Sequence, residues 1–426
     1  MEEIILDDLF KIYLSSIDSY NSKIWQTIND KYTIIDKSML AVYLYIKILE
    51  DRNEKDQIAV DTLTNYLLKQ IIYGETGNLA LEITDKTQLD FYNEVINELV
   101  IEKFEYKNRI LEKLKYNYQV VEDSPYKDLL VFCEKVAELA ILDKMAKRGN
   151  EEAKSYLIEQ TQKILEMSIE KSDEFYPEKS EILQNIQRNA LNQTQYGQLL
   201  QVVLNLKDVY RYSNLTTVIH ENVLAHQYTM AVTGIIFSQY LNQELGENID
   251  IYQVVIKSLF HDFGEYKGNE IVTQVKNYNE DTKKMFKMME EADEKDLEEK
   301  IGKNLFQVIT SAMEQQEGYI LELLDKMIAI MKLWIEVEYM GNQTYIKSIC
   351  SIFQSRFKRF KKVEKIDSLK NKNFYLDLVR CCYIYVKEHL LECNPTLLLQ
   401  YFTRQEQEEM RREIAEIRED RTKFLI

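Results

Sequence analysis

Histidine is scarce in this chain, four residues in 426, and three of the four fall between positions 220 and 261. Two of these stand in the strings Glu221-Asn-Val-Leu-Ala-His226 and Phe260-His261-Asp262-Phe-Gly-Glu265. An imidazole on one helix, an adjacent imidazole and carboxylate on a second, and a further carboxylate, Asp325, on a third make a mixed nitrogen and oxygen ligand set for one divalent ion. Manganese, cobalt, iron, zinc and magnesium all suit such a set, with waters completing the shell. Neighbouring helical residues are about 100° apart, so His261 and Asp262 can face the same ion. A metal so held acidifies a bound water and polarises a phosphoryl oxygen, which is the chemistry of phosphoester hydrolysis. That chemistry also asks for a carboxylate to position or deprotonate the water and a cation to hold the phosphate. Glu265, three residues after Asp262, suits the first task. Arg211, in Leu206-Lys-Asp-Val-Tyr-Arg211-Tyr, suits the second, because a guanidinium fork matches phosphate oxygens. His220 reads as a helix-start residue near the rim.

The elements that must position these groups are helices. Only 11 glycines and 3 prolines interrupt the chain, so turns are few and the expected fold is all-α, with long helices and short connections. Apolar residues recur at helical spacing: Met39, Val42, Tyr43, Ile46 and Leu49 line one face, and Ile320, Leu323, Leu324, Met327, Ile328, Met331 and Trp334 another. The polar stretch from Lys171 to Ser180 separates a first part from a second, and a boundary is expected between it and Tyr196.

The first part echoes the second without its ligands. Tyr73-Gly-Glu75-Thr-Gly-Asn78 parallels Phe263-Gly-Glu265-Tyr-Lys-Gly-Asn269, and Cys133-Glu134-Lys135 with Gly149-Asn150 parallels Leu324-Asp325-Lys326 with Gly341-Asn342. On this alignment Ile71 and Ile72 stand where the second copy has His261 and Asp262, so the first copy cannot hold the same metal. The end of the chain differs from both. Arg356 to Lys362 is basic with interleaved aromatics, and Arg404 to Arg421 alternates acids and bases around a stripe of Met410, Ile414 and Ile417, as in a solvated helix.

The formal net charge of −17 argues against general affinity for nucleic acid or anionic membrane. Five cysteines without CxxC spacing read as reduced, buried thiols. The acidic N-terminus lacks the basic start of a signal peptide, and no apolar run reaches bilayer-spanning length. A soluble, cytoplasmic protein is expected.

Arg211-Tyr212, Glu221-Asn222-Val223-Leu-Ala-His226, His261-Asp262-Phe-Gly-Glu265, Thr273-Gln-Val-Lys276 and Asp325-Lys326 with Gly341-Asn342 together resemble the YfbR-like 5′-deoxynucleotidases, a family of HD-domain phosphohydrolases. The resemblance covers roughly residues 200 to 345. It implies that His226, His261, Asp262 and Asp325 hold a divalent metal, that Arg211 binds the substrate phosphate and that Glu265 belongs to the catalytic machinery. Two departures stand out. The family usually has Ala-Glu-His where this chain has Leu224-Ala225-His226, and Gly-Asp where it has Asn269-Glu270; Glu270 then serves beside Glu265 from one methylene farther out.

The organisation this implies is a degenerate HD-like helical domain over 1–190, an intact HD phosphohydrolase domain over 191–350 and a C-terminal helical extension over 351–426. The expected activity is removal of phosphate from nucleoside 5′-monophosphates, deoxynucleosides foremost. Its rivals are another HD reaction, on nucleoside triphosphates, cyclic nucleotides or alarmones, and a nucleotide sensor or scaffold that does not hydrolyse. Family members commonly pair as homodimers, and an internal tandem can imitate that arrangement within one chain.

Overall fold

Helix starts in this chain are set by side chains that accept from the first turn's orphan N–H groups. Thr33, Thr194, Asn222, Asp250 and Asn279 each take an extended backbone conformation and accept from the residue three positions on. The computed structural model describes residues 8–14, 16, 32–54, 56–76, 118–170, 177–187, 191–211, 220–267, 279–311, 315–338, 361–392 and 403–419. Along these run α1 (Ile34–Arg52), α2 (Gln57–Thr76), α3 (Tyr118–Glu122), α4 (Lys127–Lys147), α5 (Glu151–Glu170), α6 (Pro177–Gln187) and α7 (Gln195–Leu206). They are followed by α8 (Val223–Glu244), α9 (Ile251–Phe260), α10 (Glu280–Ile301), α11 (Lys303–Thr310), α12 (Gln315–Glu338), α13 (Lys372–Glu392) and α14 (Arg404–Glu419). Short 3-10 turns occupy Leu191–Gln193, Phe263–Lys267 and Lys361–Lys365. The fold is all-α, with no strand among the described residues. None of the described helices is long and apolar enough to cross a membrane.

The centre of the molecule is α1. Its expected one-sided stripe is too narrow: residues 34 to 50 are buried all round, including Asp36, Lys37, Lys47 and Glu50. The reason is that α1 packs against α2, α4, α7, α8 and α11 at once, and three of its charged groups find partners. Asp36 forms a capping box with Thr33 and lies 2.8 Å from Lys207 Nζ. Lys47 meets Asp51 at 2.6 Å, and Glu50 accepts from the Tyr252 hydroxyl at 2.9 Å. One apolar cluster therefore runs through helices on both sides of the expected boundary. Residues 188–190, at the division expected between 190 and 191, lie outside the described residues.

In the second part, α8 and α9 form the most extensive helix pair, and α12 packs across both. Their approach is close at Gly234, where a Cβ would stand 2.8 Å from Val254 Cγ1, so a side chain there would displace α9. This trio carries the three chain segments with candidate metal ligands.

The echo between the two parts is uneven. Tyr73 to Glu75 continue helix α2, whereas the matched Phe263 to Glu265 form a 3-10 turn after α9 has ended. Asn78, Asn269 and 341–342 lie outside the described residues. Cys133 is buried in α4, whose end turns through Gly149 at φ +93°, and Asn150 then accepts from Ala153 N to start α5. At the far end, α14 is exposed over most of its surface but docks by one stripe: Met410, Ile414 and Ile417 are buried, α14 packs on α13, and Arg418 meets Glu388 at 2.7 Å. The basic aromatic run at 356–360 lies outside the described residues. Cys133, Cys381 and Cys382 are buried, and burial pushes the Cys382 thiol up to about 12.

Candidate metal centre

The chain ahead of α8 is fixed by a short antiparallel pairing. Tyr210 bridges Asn222, Arg211 N donates to Glu221 O at 2.9 Å, and Val223 N donates to Val209 O at 2.9 Å. This places Arg211 and Glu221 side by side at the mouth of α8. Asn222 caps the helix by accepting from Ala225 N at 2.9 Å, and His226 follows on the first turn, fully buried. From the other side, α9 stops at Phe260, so His261 is its C-cap and Asp262 lies in the turn beyond. The expected helical His-Asp pair is thus a cap and a turn. Its geometry comes from local bonds: His261 N donates to Lys257 O at 3.0 Å, and Glu265 N donates to Asp262 O at 3.0 Å to open the 3-10 turn.

The ring nitrogens are sorted by their surroundings. His261 Nδ1 lies 2.8 Å from Ser258 O; a carbonyl can only accept, so Nδ1 is the donor, and in the neutral ring Nε2 keeps its lone pair. His226 Nδ1 faces Glu221 Oε1 at 3.6 Å, while its Nε2 faces Asp325 Oδ1 at 3.4 Å and Asp262 Oδ2 at 4.0 Å. His261 Nε2 is 3.1 Å from Asp262 Oδ2, and the two imidazoles stand 5.3 Å apart. Neither His226 Nε2 nor His261 Nε2 makes a hydrogen bond, although both are buried. Ligand atoms of His226, His261 and Asp262 all fall within 4.8 Å of one another. Two imidazole nitrogens without hydrogen bonds that converge on one carboxylate fit a divalent metal.

Asp325 borders this triad. Its carboxylate pairs with Lys326 and lies 3.8 Å from Arg211 Nη2 as well as near His226. Charge complementarity dominates the acids. Burial pushes both acids up, but His261, His226 and Arg211 outweigh it at Asp262, and His226, Lys326 and Arg211 outweigh it at Asp325, so both are held well below the usual carboxylate range. Glu221 follows the same balance, with His226, Arg211 and Lys332 lowering what burial raises. For His261, burial lowers the pKa and neighbouring Asp262 raises it, with a net rise.

Of the residues expected from sequence, the structure brings together His226, His261, Asp262, Asp325 and Arg211. Glu265 is half-buried in the 3-10 turn directly after Asp262. That turn is braced from behind, where the Tyr266 hydroxyl bonds Asp296 and Lys267 meets Asp293 at 2.6 Å on α10. Glu270, Thr273 and Lys276 lie outside the described residues. His220 is exposed, with its ring edge-on to Tyr210 at 6.1 Å. Sequence reasoning assigned no role to Glu221, which faces His226, or to Tyr43, whose ring packs on Phe260 and Phe263 from α1. An acid directly before the helix cap Asn222 and a turn ahead of His226 was the available signal for Glu221. Nothing local marked Tyr43.

Residues 198–372 match the family described as 5′-deoxynucleotidase YfbR-like. A 5′-deoxynucleotidase of Vibrio vulnificus (strain YJ016) is 25% identical over 145 residues, covering 33% of this chain and 74% of that protein. No solved structure matches the chain. The stretch from α7 through α12, which carries His226, His261, Asp262 and Asp325, therefore matches the YfbR-like 5′-deoxynucleotidase family that its motifs resemble.

Proposed function

We propose that this protein is a metal-dependent phosphohydrolase that removes phosphate from nucleoside 5′-monophosphates, deoxynucleosides foremost. The observation that carries the reading is the convergence of two buried, hydrogen-bond-free imidazole nitrogens on the Asp262 carboxylate, with the Arg211 guanidinium alongside. His226, His261, Asp262 and Asp325 would hold a divalent ion. When bound, that ion supplies an acidified water and a polarised phosphoryl oxygen.

The protein groups divide the remaining work. Arg211 is taken as the phosphate clamp, its fork turning from Asp325 to the substrate's phosphoryl oxygens. Glu265 orients the attacking water and takes its proton, with Glu270 beside it as a second carboxylate. Ser258 O fixes the His261 ring by accepting from Nδ1, and Glu221 faces the corresponding nitrogen of His226. Both arrangements leave Nε2 for the centre. The nucleotidase relative supports a monophosphate as substrate.

The test is phosphate release from a panel of nucleoside mono-, di- and triphosphates with manganese, cobalt and magnesium, beside Asp262→Ala. Orthophosphate should come from the monophosphates, and the variant should lose more than the roughly 10–100-fold that a ligand-supporting residue contributes. Pyrophosphate or triphosphate as the product, or full activity in the variant, would overturn the assignment.

A further inference from the structure

Tyr43 belongs to the part of the chain that contains no histidine, yet its fully buried ring sits within the second part. The phenol oxygen is 2.5 Å from Leu259 O and 2.7 Å from Gln227 Oε1. The ring is edge-on to Phe260 at 5.0 Å and tilted against Phe263 at 5.1 Å. Each contact lies next to a candidate ligand. Gln227 follows His226, Leu259 precedes His261 by two residues, and the two phenylalanines bracket His261-Asp262.

The end of α9 explains why a donor is needed there. The last carbonyls of a helix have no partner within it, and those of α9 are taken in turn. Lys257 O accepts from His261 N, Ser258 O from His261 Nδ1, and Leu259 O from Tyr43. A phenol has one proton and a carbonyl only accepts, so that proton goes to Leu259 O. With its amide turned end for end, Gln227 satisfies the phenol oxygen by donating from its NH2, the group that otherwise has no partner. The resulting chain, Gln227 to Tyr43 to Leu259 O, ties the first turns of α8 to the last turn of α9.

We infer that Tyr43 is a positioning residue for the metal centre, by which the first part of the chain sets the separation of His226 and His261. The inference rests on the metal-centre reading above. It gives α1 a task that packing alone does not require, because the ring could fill its site without the hydroxyl.

Tyr43→Phe in the full chain keeps the ring contacts and removes the tie. Tyr45→Phe is the control: Tyr45 is equally buried in α1, and its hydroxyl bonds Ala59 O at 3.4 Å instead of the centre's helices. Metal affinity is read without substrate, by calorimetry with Mn²⁺ and by the visible absorption of bound Co²⁺. Tyr43→Phe should bind about 10-fold more weakly, the lower end of what ligand-orienting groups contribute, with a shifted Co²⁺ spectrum, while Tyr45→Phe keeps the native affinity and spectrum. If Tyr43→Phe does not fold, Gln227→Met carries the test with the same expected direction. Native affinity and spectrum in the Tyr43 or Gln227 variant, or an equal loss in Tyr45→Phe, would overturn the inference. If the unaltered protein binds neither ion, the metal-centre reading itself has failed.

Discussion

Helices α1 and α8 are both buried along most of their length, and both open on a side-chain cap followed by a charged or titratable residue within the first turns. They differ in what becomes of those groups. In α1, Asp36 is paired with Lys207, Lys47 with Asp51 and Glu50 with Tyr252. In α8, His226 is wholly buried and its ring nitrogens have no hydrogen bond. A buried polar atom left open costs stability that a folded chain normally recovers through a partner. The α1 pairs are therefore what buried structural charges show, and the open nitrogens of His226 are what the proposed metal would satisfy. The contrast separates the two helices by the state of these particular groups.

The largest test of this contrast is on the structural side. Asp36→Asn keeps an oxygen to accept from Thr33 N but removes the counter-charge of buried Lys207. Breaking a buried ion pair from one side costs about 3–5 kcal/mol, and denaturant unfolding should show a loss of that order. Metal affinity of the folded protein should stay as in the native chain. If affinity falls together with stability, the pairs of α1 are not separate from the site and the contrast fails.

The next effect belongs to the other side. Arg211→Lys preserves the charge but not the fork, and hydrogen bonds to charged groups contribute about 1.5–3 kcal/mol each. Steady-state kinetics on a nucleoside monophosphate should show kcat/KM lowered by roughly 10–100-fold, mostly through KM, with unfolding little changed. Native kinetics would reduce Arg211 to an ion-pair partner of Asp325 at 3.8 Å.

Both sides of the contrast were unequally visible in the sequence. The ligand strings stood out because histidine is rare and the carboxylates fell at helical intervals, and the all-helical fold followed from scarce glycine and proline. What stayed hidden depends on partners distant in the chain. Tyr43 reads as one apolar position in a stripe, and its two bonds span 184 and 216 residues. The all-round burial of α1 was concealed by Asp36, Lys37, Lys47 and Glu50; Asp36 and Glu50 look solvent-facing until Lys207 and Tyr252 are known to reach them. The stop at Phe260 was missed for a related reason: the bonds that end α9 come from the His261 ring and from Tyr43, and a helical period has no term for either.

Glu221 lies between the two classes, since it is buried like the acids of α1 but faces an open imidazole. Its main chain already fixes the mouth of α8, because Arg211 N donates to Glu221 O irrespective of the side chain. The carboxylate adds an electrostatic influence on His226 Nδ1 at 3.6 Å, and an acid beside a ligating imidazole fixes its tautomer and raises its basicity. Glu221→Gln retains shape and removes the charge, so metal affinity measured by calorimetry should weaken by about 10-fold with the fold intact. An unchanged affinity would mean that the main-chain pairing alone orients His226, and Glu221 would then join Asp36 among the residues whose charge serves stability.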